Sequence, residues 1–209
     1  MGESAVKRLR RRVDSSDLNR MGIPRELWGT KVQSVTESVR DLTRRYLVHI
    51  DKMVERGAGM YLFGGSGVGK SGIAALACKE ACSALYSAYF ISVWELRECI
   101  KIRILFEDDT SMFVRCKAVD VLVLDGLTEE DKKDYTFGAR DLEELVAHRG
   151  SRRRVTIITS RMSLQELKKN FGALTEVMQG CLVNVHVEGK SLREAQSEEL
   201  KRTVFGDDD

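Results

Sequence analysis

The chain has 209 residues, 34 Lys+Arg against 32 Asp+Glu, 43% hydrophobic and 32% charged side chains, and a single proline. That length suits one domain with short appendages, and no run approaches the ~18 uninterrupted apolar residues that would span a bilayer. The basic first segment has no apolar core of the kind a secretory signal needs, so the expectation is a soluble, cytoplasmic protein without membrane contacts. The five cysteines, Cys78, Cys82, Cys99, Cys116 and Cys181, are odd in number and include no C-x-x-C pair. This argues against a disulfide framework or a zinc ribbon and for reduced thiols packed in the core.

Six of the 34 basic residues, Lys7, Arg8, Arg10, Arg11, Arg12 and Arg20, fall within 1–20, and three aspartates close the chain. The expected division is a flexible basic arm over 1–21, a folded body over 22–203 and an acidic tail over 204–209. Gly22-Ile23-Pro24-Arg25 is a turn-like entry into the body. Residues 36–54 read as one amphipathic helix, with Val39, Leu42, Tyr46, Ile50 and Met53 at three- and four-residue steps and Gly57 and Gly59 as its stop. Residues 60–63 form a short apolar strand, followed by a glycine-rich turn and a helix over about 71–87. A strand over 89–93, a mostly helical stretch over 94–117, an apolar strand over 119–124 and a helix over 137–148 come next. Residues 155–159 are a further apolar strand, 164–169 a helix, 182–187 a strand, and a charged helix ends the chain. Apolar strands without alternation, interleaved with helices, predict an α/β domain of three layers around a central parallel sheet.

Gly64-Gly65-Ser66-Gly67-Val68-Gly69-Lys70-Ser71 matches G-x-x-x-x-G-K-[ST] in full, after a predicted strand and at the start of a predicted helix. Such a loop turns successive N–H groups toward phosphate oxygens, and the helix N-terminus adds partial positive charge. Lys70 is expected at the β- and γ-phosphates and the Ser71 hydroxyl on Mg²⁺. A second metal-positioning acid belongs at the end of a neighbouring strand, and Asp125, after the apolar run Val121-Leu122-Val123-Leu124, supplies it. Hydrolytic P-loop ATPases of the additional-strand type carry another acid directly after this one, to orient the attacking water, and here that position is Gly126. Glu129 or Glu130 could reach in from the following loop or could simply be solvated. Since positioning is much of what phosphoryl-transfer catalysis consists of, ATP hydrolysis is expected to be slow or partner-dependent.

This set of motifs resembles the AAA+ superfamily, and within it the DnaC/DnaI-type helicase loaders and the IstB-type transposition ATPases, from Gly22 to Arg193. The resemblance rests on Gly22-Ile23-Pro24-Arg25, the phosphate loop, the strand ending at Asp125, Val155-Thr156-Ile157-Ile158-Thr159-Ser160, and Gly189-Lys190-Ser191-Leu192-Arg193. It implies a P-loop NTPase of AAA+ type with a small or vestigial C-terminal lid. It also implies that Thr159 lies in the segment that senses the γ-phosphate, with Arg161 where relatives have Asn, and that Arg193 sits near the nucleotide. Relatives carry an arginine finger where this chain has Glu176-Val177-Met178-Gln179; Arg149, Arg152, Arg153 or Arg154 are substitutes, or else a surface charge run.

The implied partners are a hexameric replicative helicase, single-stranded DNA and further copies of the chain in an ATP-dependent oligomer, in a bacterial or phage-infected cell. Loaders in this family carry an extra N-terminal domain, whereas 1–21 offers only a short arm. That arm could neutralise phosphates. So could Arg97, Lys101, Arg103, Arg115 and Lys117, with Trp94, Phe106 and Phe113 either stacking on bases or buried. Two further functions fit the same motifs: an IstB-like transposition regulator forming ATP-dependent filaments on duplex DNA, and a degenerate ATPase-like interaction protein.

Overall fold

The computed structural model describes residues 10–106, 111–132, 139–192 and 202–203. Helix α1 (Ser15–Arg20) leads through two 3₁₀ turns (Arg25–Leu27 and Val32–Ser34) to α2 (Glu37–Val48) and α3 (Ile50–Arg56). Strand β1 (Gly59–Phe63), helix α4 (Lys70–Ser83) and strand β2 (Ala88–Ser92) follow. Then come α5 (Val93–Phe106), α6 (Ser111–Ala118), β3 (Val121–Leu127) and a 3₁₀ turn (Glu129–Lys132). Helix α7 (Ala139–Ser151), β4 (Val155–Ser160), α8 (Leu164–Asn170), α9 (Gly172–Gln179) and β5 (Leu182–His186) complete the order.

The five strands are parallel throughout, in the order β2-β3-β4-β1-β5. Alternate strand residues serve opposite faces. Met60 and Leu62 join Val39, Ile50, Ile73 and Ala77 in one core on the α2–α4 side. Tyr61, Leu122 and Leu124 join Leu96, Leu145, Leu167 and Phe171 in a second core on the other side. The sheet is therefore covered on both faces from β1 to β4, whose strands are apolar with little alternation for that reason, while edge strand β5 leaves Val183, Asn184 and His186 exposed. Helix α4 is buried along most of its length, at Ile73, Ala74, Ala75, Leu76, Ala77, Cys78, Ala81 and Cys82, and its small side chains let it lie close on the sheet. All five cysteines are free, and burial pushes the thiols of Cys78 and Cys82 up.

Two expectations need correcting. The helix expected over 36–54 breaks at His49, whose backbone (φ −104°, ψ 24°) ends α2 and starts α3. Within α2 the buried face is Val39, Thr43, Tyr46 and Leu47, and Leu42 is 41% exposed. The arm expected to be flexible over 1–21 is, from Arg10 on, part of the packed body. Arg11 grips Asp17 with two hydrogen bonds of 2.6 and 2.8 Å, Asp14 and Asp17 close a capping box, and Arg10 pairs with Asp51 and Glu80. Met21 O then accepts from Phe90 N (2.7 Å), which covers part of the open edge of β2. Of the two alternatives open for Phe113 the structure takes burial: at 4% exposure it belongs to the core. Lys7, Arg8, the C-terminal lid and helix, and the tail at 204–209 lie outside the described residues.

Candidate functional site: a phosphate loop facing a braced aspartate

Every strand runs in one direction, so the loops after β1, β3 and β4 gather at one end of the sheet, the usual place for a ligand in an open α/β sheet. A cleft of about 890 Å³ opens there, between the glycine loop, the ends of β3 and β4 and the 24–35 segment. Of the sequence-predicted residues, Ser66, Gly67, Gly69, Lys70, Ser71, Asp125 and Thr159 line it. Val68 is buried in the core beneath the loop, Gly64 is buried and Gly65 is exposed.

The loop conformation depends on glycine at two points. At Gly64 (φ +142°) a Cβ would come within 2.3 Å of Val187 O, and at Gly67 (φ +75°) within 2.3 Å of Ser191 Oγ. Leu192 N donates to Gly67 O at 2.9 Å, so the chain after β5 is stitched onto the phosphate loop. Arg193 itself lies outside the described residues. Lys70, 9% exposed, donates from Nζ to Gly64 O (2.8 Å) and to Gly65 O. Its ammonium therefore rests inside the loop, on neutral acceptors that phosphate oxygens can replace with stronger, charge-assisted bonds.

Across the cleft, Asp125 is held by Thr159, whose Oγ1 donates to Asp125 Oδ1 at 2.7 Å and accepts from Gly126 N at 2.9 Å. The hydroxyl proton of Thr159 is thus committed to the carboxylate. Thr159 lines the cleft as a brace for Asp125. Ser160 works similarly, donating to Leu127 O at 2.8 Å. Both hydroxyls mend a β-bulge: Leu124 pairs with Ile158 and Leu127 with Ser160, so Asp125 and Gly126 together oppose Thr159, and Gly126 adopts φ +83°. The donor set facing the cleft, the Ser71 hydroxyl and the Asp125 carboxylate, is of the hard oxygen type that suits Mg²⁺ with its retained waters. Among the described residues no cluster of three or more His, Cys, Asp or Glu forms an all-protein metal cage.

Glu129 and Glu130 do not enter the cleft. They are exposed on the 3₁₀ turn and line a neighbouring cavity of about 270 Å³ with Arg161, Met162 and Glu166. Arg161 is exposed on the rim shared by both spaces. The acid that shapes this loop is Asp131, which sequence reasoning missed. Buried at 5% exposure, it accepts from Thr128 N (2.7 Å), Thr128 Oγ1 (3.0 Å) and Arg97 (3.3 Å). The signal was present as a Thr followed three residues later by Asp, a reciprocal turn-capping spacing.

Arg149 is not an arginine finger. It is fully buried and donates to Cys116 O, Val119 O, Asp120 O, Val155 O and Thr156 Oγ1, tying the end of α6 to the starts of β3 and β4. These lie at the opposite end of the sheet from the cleft, and burial pushes the Arg149 pKa down to about 10. Arg154 likewise caps the α6 carbonyl of Lys117, and Arg152 the α7 carbonyl of His148. Along 94–117, Arg97 is tied to Asp131 and Arg115 lies over Tyr89 at 4.1 Å. Lys117 lies over Phe113, Trp94 is 61% exposed, and the side chains of Arg103 and Phe106 lie outside the described residues.

The wall formed by 24–35 was also not foreseen beyond its Gly-Ile-Pro-Arg entry. Pro24, Glu26, Leu27, Gly29, Thr30, Ser34 and Val35 all line the cleft. Together with the glycine loop and Asp125 this makes an elongated cleft, with the glycine loop and a carboxylate at one part and a mixed apolar and polar lining at another.

No helix among the described residues is long and apolar enough to cross a membrane. No curated protein shows significant similarity to the sequence. Solved structures do share the fold. The DnaC helicase loader superposes with a TM-score of 0.70 at 19% identity, over 79% of this chain and 100% of that one. DnaI gives 0.62 at 21% identity, over 81% and 93% respectively. The replication initiator DnaA bound to AMPPCP and single-stranded DNA gives 0.62 at 16% identity, over 83% of this chain and 55% of that one. These likenesses show a shared fold, and with residues 34–199 matching the family described as IstB-like ATP binding protein, the chain belongs to that family of ATP-binding proteins.

Proposed function

We propose that this ATP-binding protein is a nucleotide-gated factor of the helicase-loader type. It binds ATP with Mg²⁺ through Lys70, Ser71 and Asp125, self-associates when ATP is bound, and engages single-stranded DNA and a hexameric replicative helicase in the bacterial cytoplasm. Turnover is slow. The observation that carries this reading is the pairing of a complete phosphate loop with a braced Asp125 and a bulged Gly126 where an activating acid would stand. Binding chemistry is intact while the group that orients water is missing, which suits a switch better than a motor. The match in fold to DnaC and DnaI supports the loader part, and the DnaA complex supports single-stranded DNA as the nucleic-acid class.

The test has two steps. Calorimetric titration with ATP and Mg²⁺ is expected to give saturable binding that Lys70→Ala abolishes, because the Lys70 ammonium rests inside the loop on the Gly64 and Gly65 carbonyls, where phosphate oxygens would replace them. Absence of binding by the unaltered chain would leave the protein as a degenerate interaction module. Co-purification with the replicative helicase in ATP is then expected, and no association in ATP, ADP or without nucleotide would remove the loader assignment. The family match itself favours a second reading, a transposition regulator of the IstB kind that coats duplex DNA. Electron microscopy with duplex DNA and ATP separates the two, since filaments are expected only for the second.

A further inference from the structure

Helix α4 begins with the two residues expected at the phosphates and the metal, Lys70 and Ser71. Farther along it, Gly72, Leu76 and Lys79 recur at steps of four and three and so share one face. That face lies under the 24–35 wall of the cleft. At Gly72 an added Cβ would stand 3.2 Å from Thr30 Cγ2, so the helix and the wall are in near contact there. At Lys79 the contact is polar: Nζ donates to the carbonyls of Leu27 (2.9 Å), Trp28 (2.7 Å) and Thr30 (3.3 Å). An ammonium has three donors, and these carbonyls take all of them. Burial lowers the pKa of Lys79, a sign that the group has left bulk water for this position. The same short strap is held from its other side, where Trp28 Nε1 donates to Ile23 O at 2.7 Å and the Arg25 guanidinium lies 5.6 Å from the Trp28 ring centre.

Phosphates belong to the glycine loop and Asp125. The lining that remains for the nucleoside is the strap and its surroundings, including Pro24, Leu27, Gly29, Thr30 and Val35. We propose that Lys79 is a positioning residue for the nucleoside half of the ligand: by gathering three strap carbonyls onto α4, it makes the helix that presents the phosphate loop also fix the wall the base meets. The inference rests on the nucleotide-binding reading and adds to it a residue that touches no part of the nucleotide. Holding the wall before binding spares the ligand the cost of ordering it, and that saving should appear as affinity.

Tripolyphosphate separates this role from general stabilisation, because it needs the glycine loop but has no base or ribose to rest on the strap. Calorimetric titrations of the full chain with ATP and with tripolyphosphate, both with Mg²⁺, are to be compared for the unaltered protein, Lys79→Met and Lys79→Arg. Lys79→Met is expected to weaken ATP about tenfold while tripolyphosphate changes by less than about twofold, and Lys79→Arg, which keeps charge and donors, is expected to recover most of the ATP affinity. Should Lys79→Met fail to fold, Lys79→Gln, which keeps two N–H donors without charge, takes its place, with a partial loss confined to ATP expected. An unchanged ratio of ATP to tripolyphosphate affinity, whether both are retained or both fall together, overturns the proposal while leaving nucleotide binding intact. If the unaltered protein binds tripolyphosphate but not ATP, or binds neither, the nucleotide reading falls and this proposal with it.

Discussion

Gly126 is more than a missing carboxylate. Its φ of +83° lies in the left-handed region, and a Cβ there would meet nothing within 4 Å, so the requirement for glycine is conformational and not a matter of space. A side chain at this φ costs about 1–2 kcal/mol, less for Asn, whose short polar group tolerates the left-handed region. Gly126→Ala should accordingly lower stability by about that amount and Gly126→Asn by clearly less, as read by urea denaturation; equal losses would mean that the bulge relaxes when its glycine is replaced. Restoring the acid meets the same obstacle. A glutamate placed in a bulge projects differently from one in a regular strand, so Gly126→Glu is expected to leave ATP turnover at the level of the unaltered protein. A rise of about tenfold or more in a phosphate-release assay would show that the carboxylate alone was lacking. The motif supplied Asp125, but not its partner. That Thr159 spends its hydroxyl on Asp125 depends on the pairing register of β3 with β4, and no local spacing encodes that register.

At the scale of elements, helix α1 is too short to stand alone, and its anchor is a nearly buried carboxylate. Asp17 accepts from both terminal nitrogens of Arg11, from Asp14 N and from Arg20. The Arg11 hydrogen bonds chiefly, and the Asp14 N–H next, hold its carboxyl down at about 2 instead of the ordinary 3.8. A depressed carboxyl stabilises the folded chain at every pH above its unfolded value and loses that contribution as pH falls through the folded one. The window is thus from about pH 4 down to about pH 2, with protonation freeing Arg11 and loosening 10–21 from the end of α4. In Asp17→Asn the loss should already be present at neutral pH, so the urea midpoint of the variant should fall less steeply across that window. Parallel acid limbs for the two proteins would assign the acid loss to other carboxylates. The basic composition of 1–20 hid this arrangement. A run of arginines reads as a solvated arm until the acids that face it, Asp17 within the segment and Asp51 and Glu80 far along the chain, are known to be close.

Across the whole molecule, the parallel sheet, the two-sided core and the phosphate loop were legible because each has a local signature: unbroken apolar strands, apolar periodicity, and a glycine spacing with one physical use. What stayed hidden was made by packing between distant segments. The Lys79 grip on 27–30, the burial of Arg149 and the break at His49 all depend on which surfaces meet, and a lysine or arginine in a helix looks the same in sequence whether it caps a remote loop or faces water. The cleft draws on the same long-range architecture, since its lining comes from the 24–35 strap, the start of α4, the ends of β3 and β4, and Leu192 beyond β5. A ligand spanning it would join segments from both ends of the described chain, and its binding should be felt as global stability. With ATP and Mg²⁺ at about 100 times the dissociation constant, mass action adds about 2.7 kcal/mol to the folded state. For a chain of this size that corresponds to a rise in Tm of roughly 5–10 °C. Lys70→Ala should abolish the rise, and Lys79→Met, measured at the same ATP concentration, should reduce it without abolishing it. A rise of similar size with tripolyphosphate in both the unaltered protein and Lys79→Met is expected, because that ligand is held by the glycine loop alone. If ATP raises Tm no further in the unaltered protein than in Lys70→Ala, the cleft is not the nucleotide site.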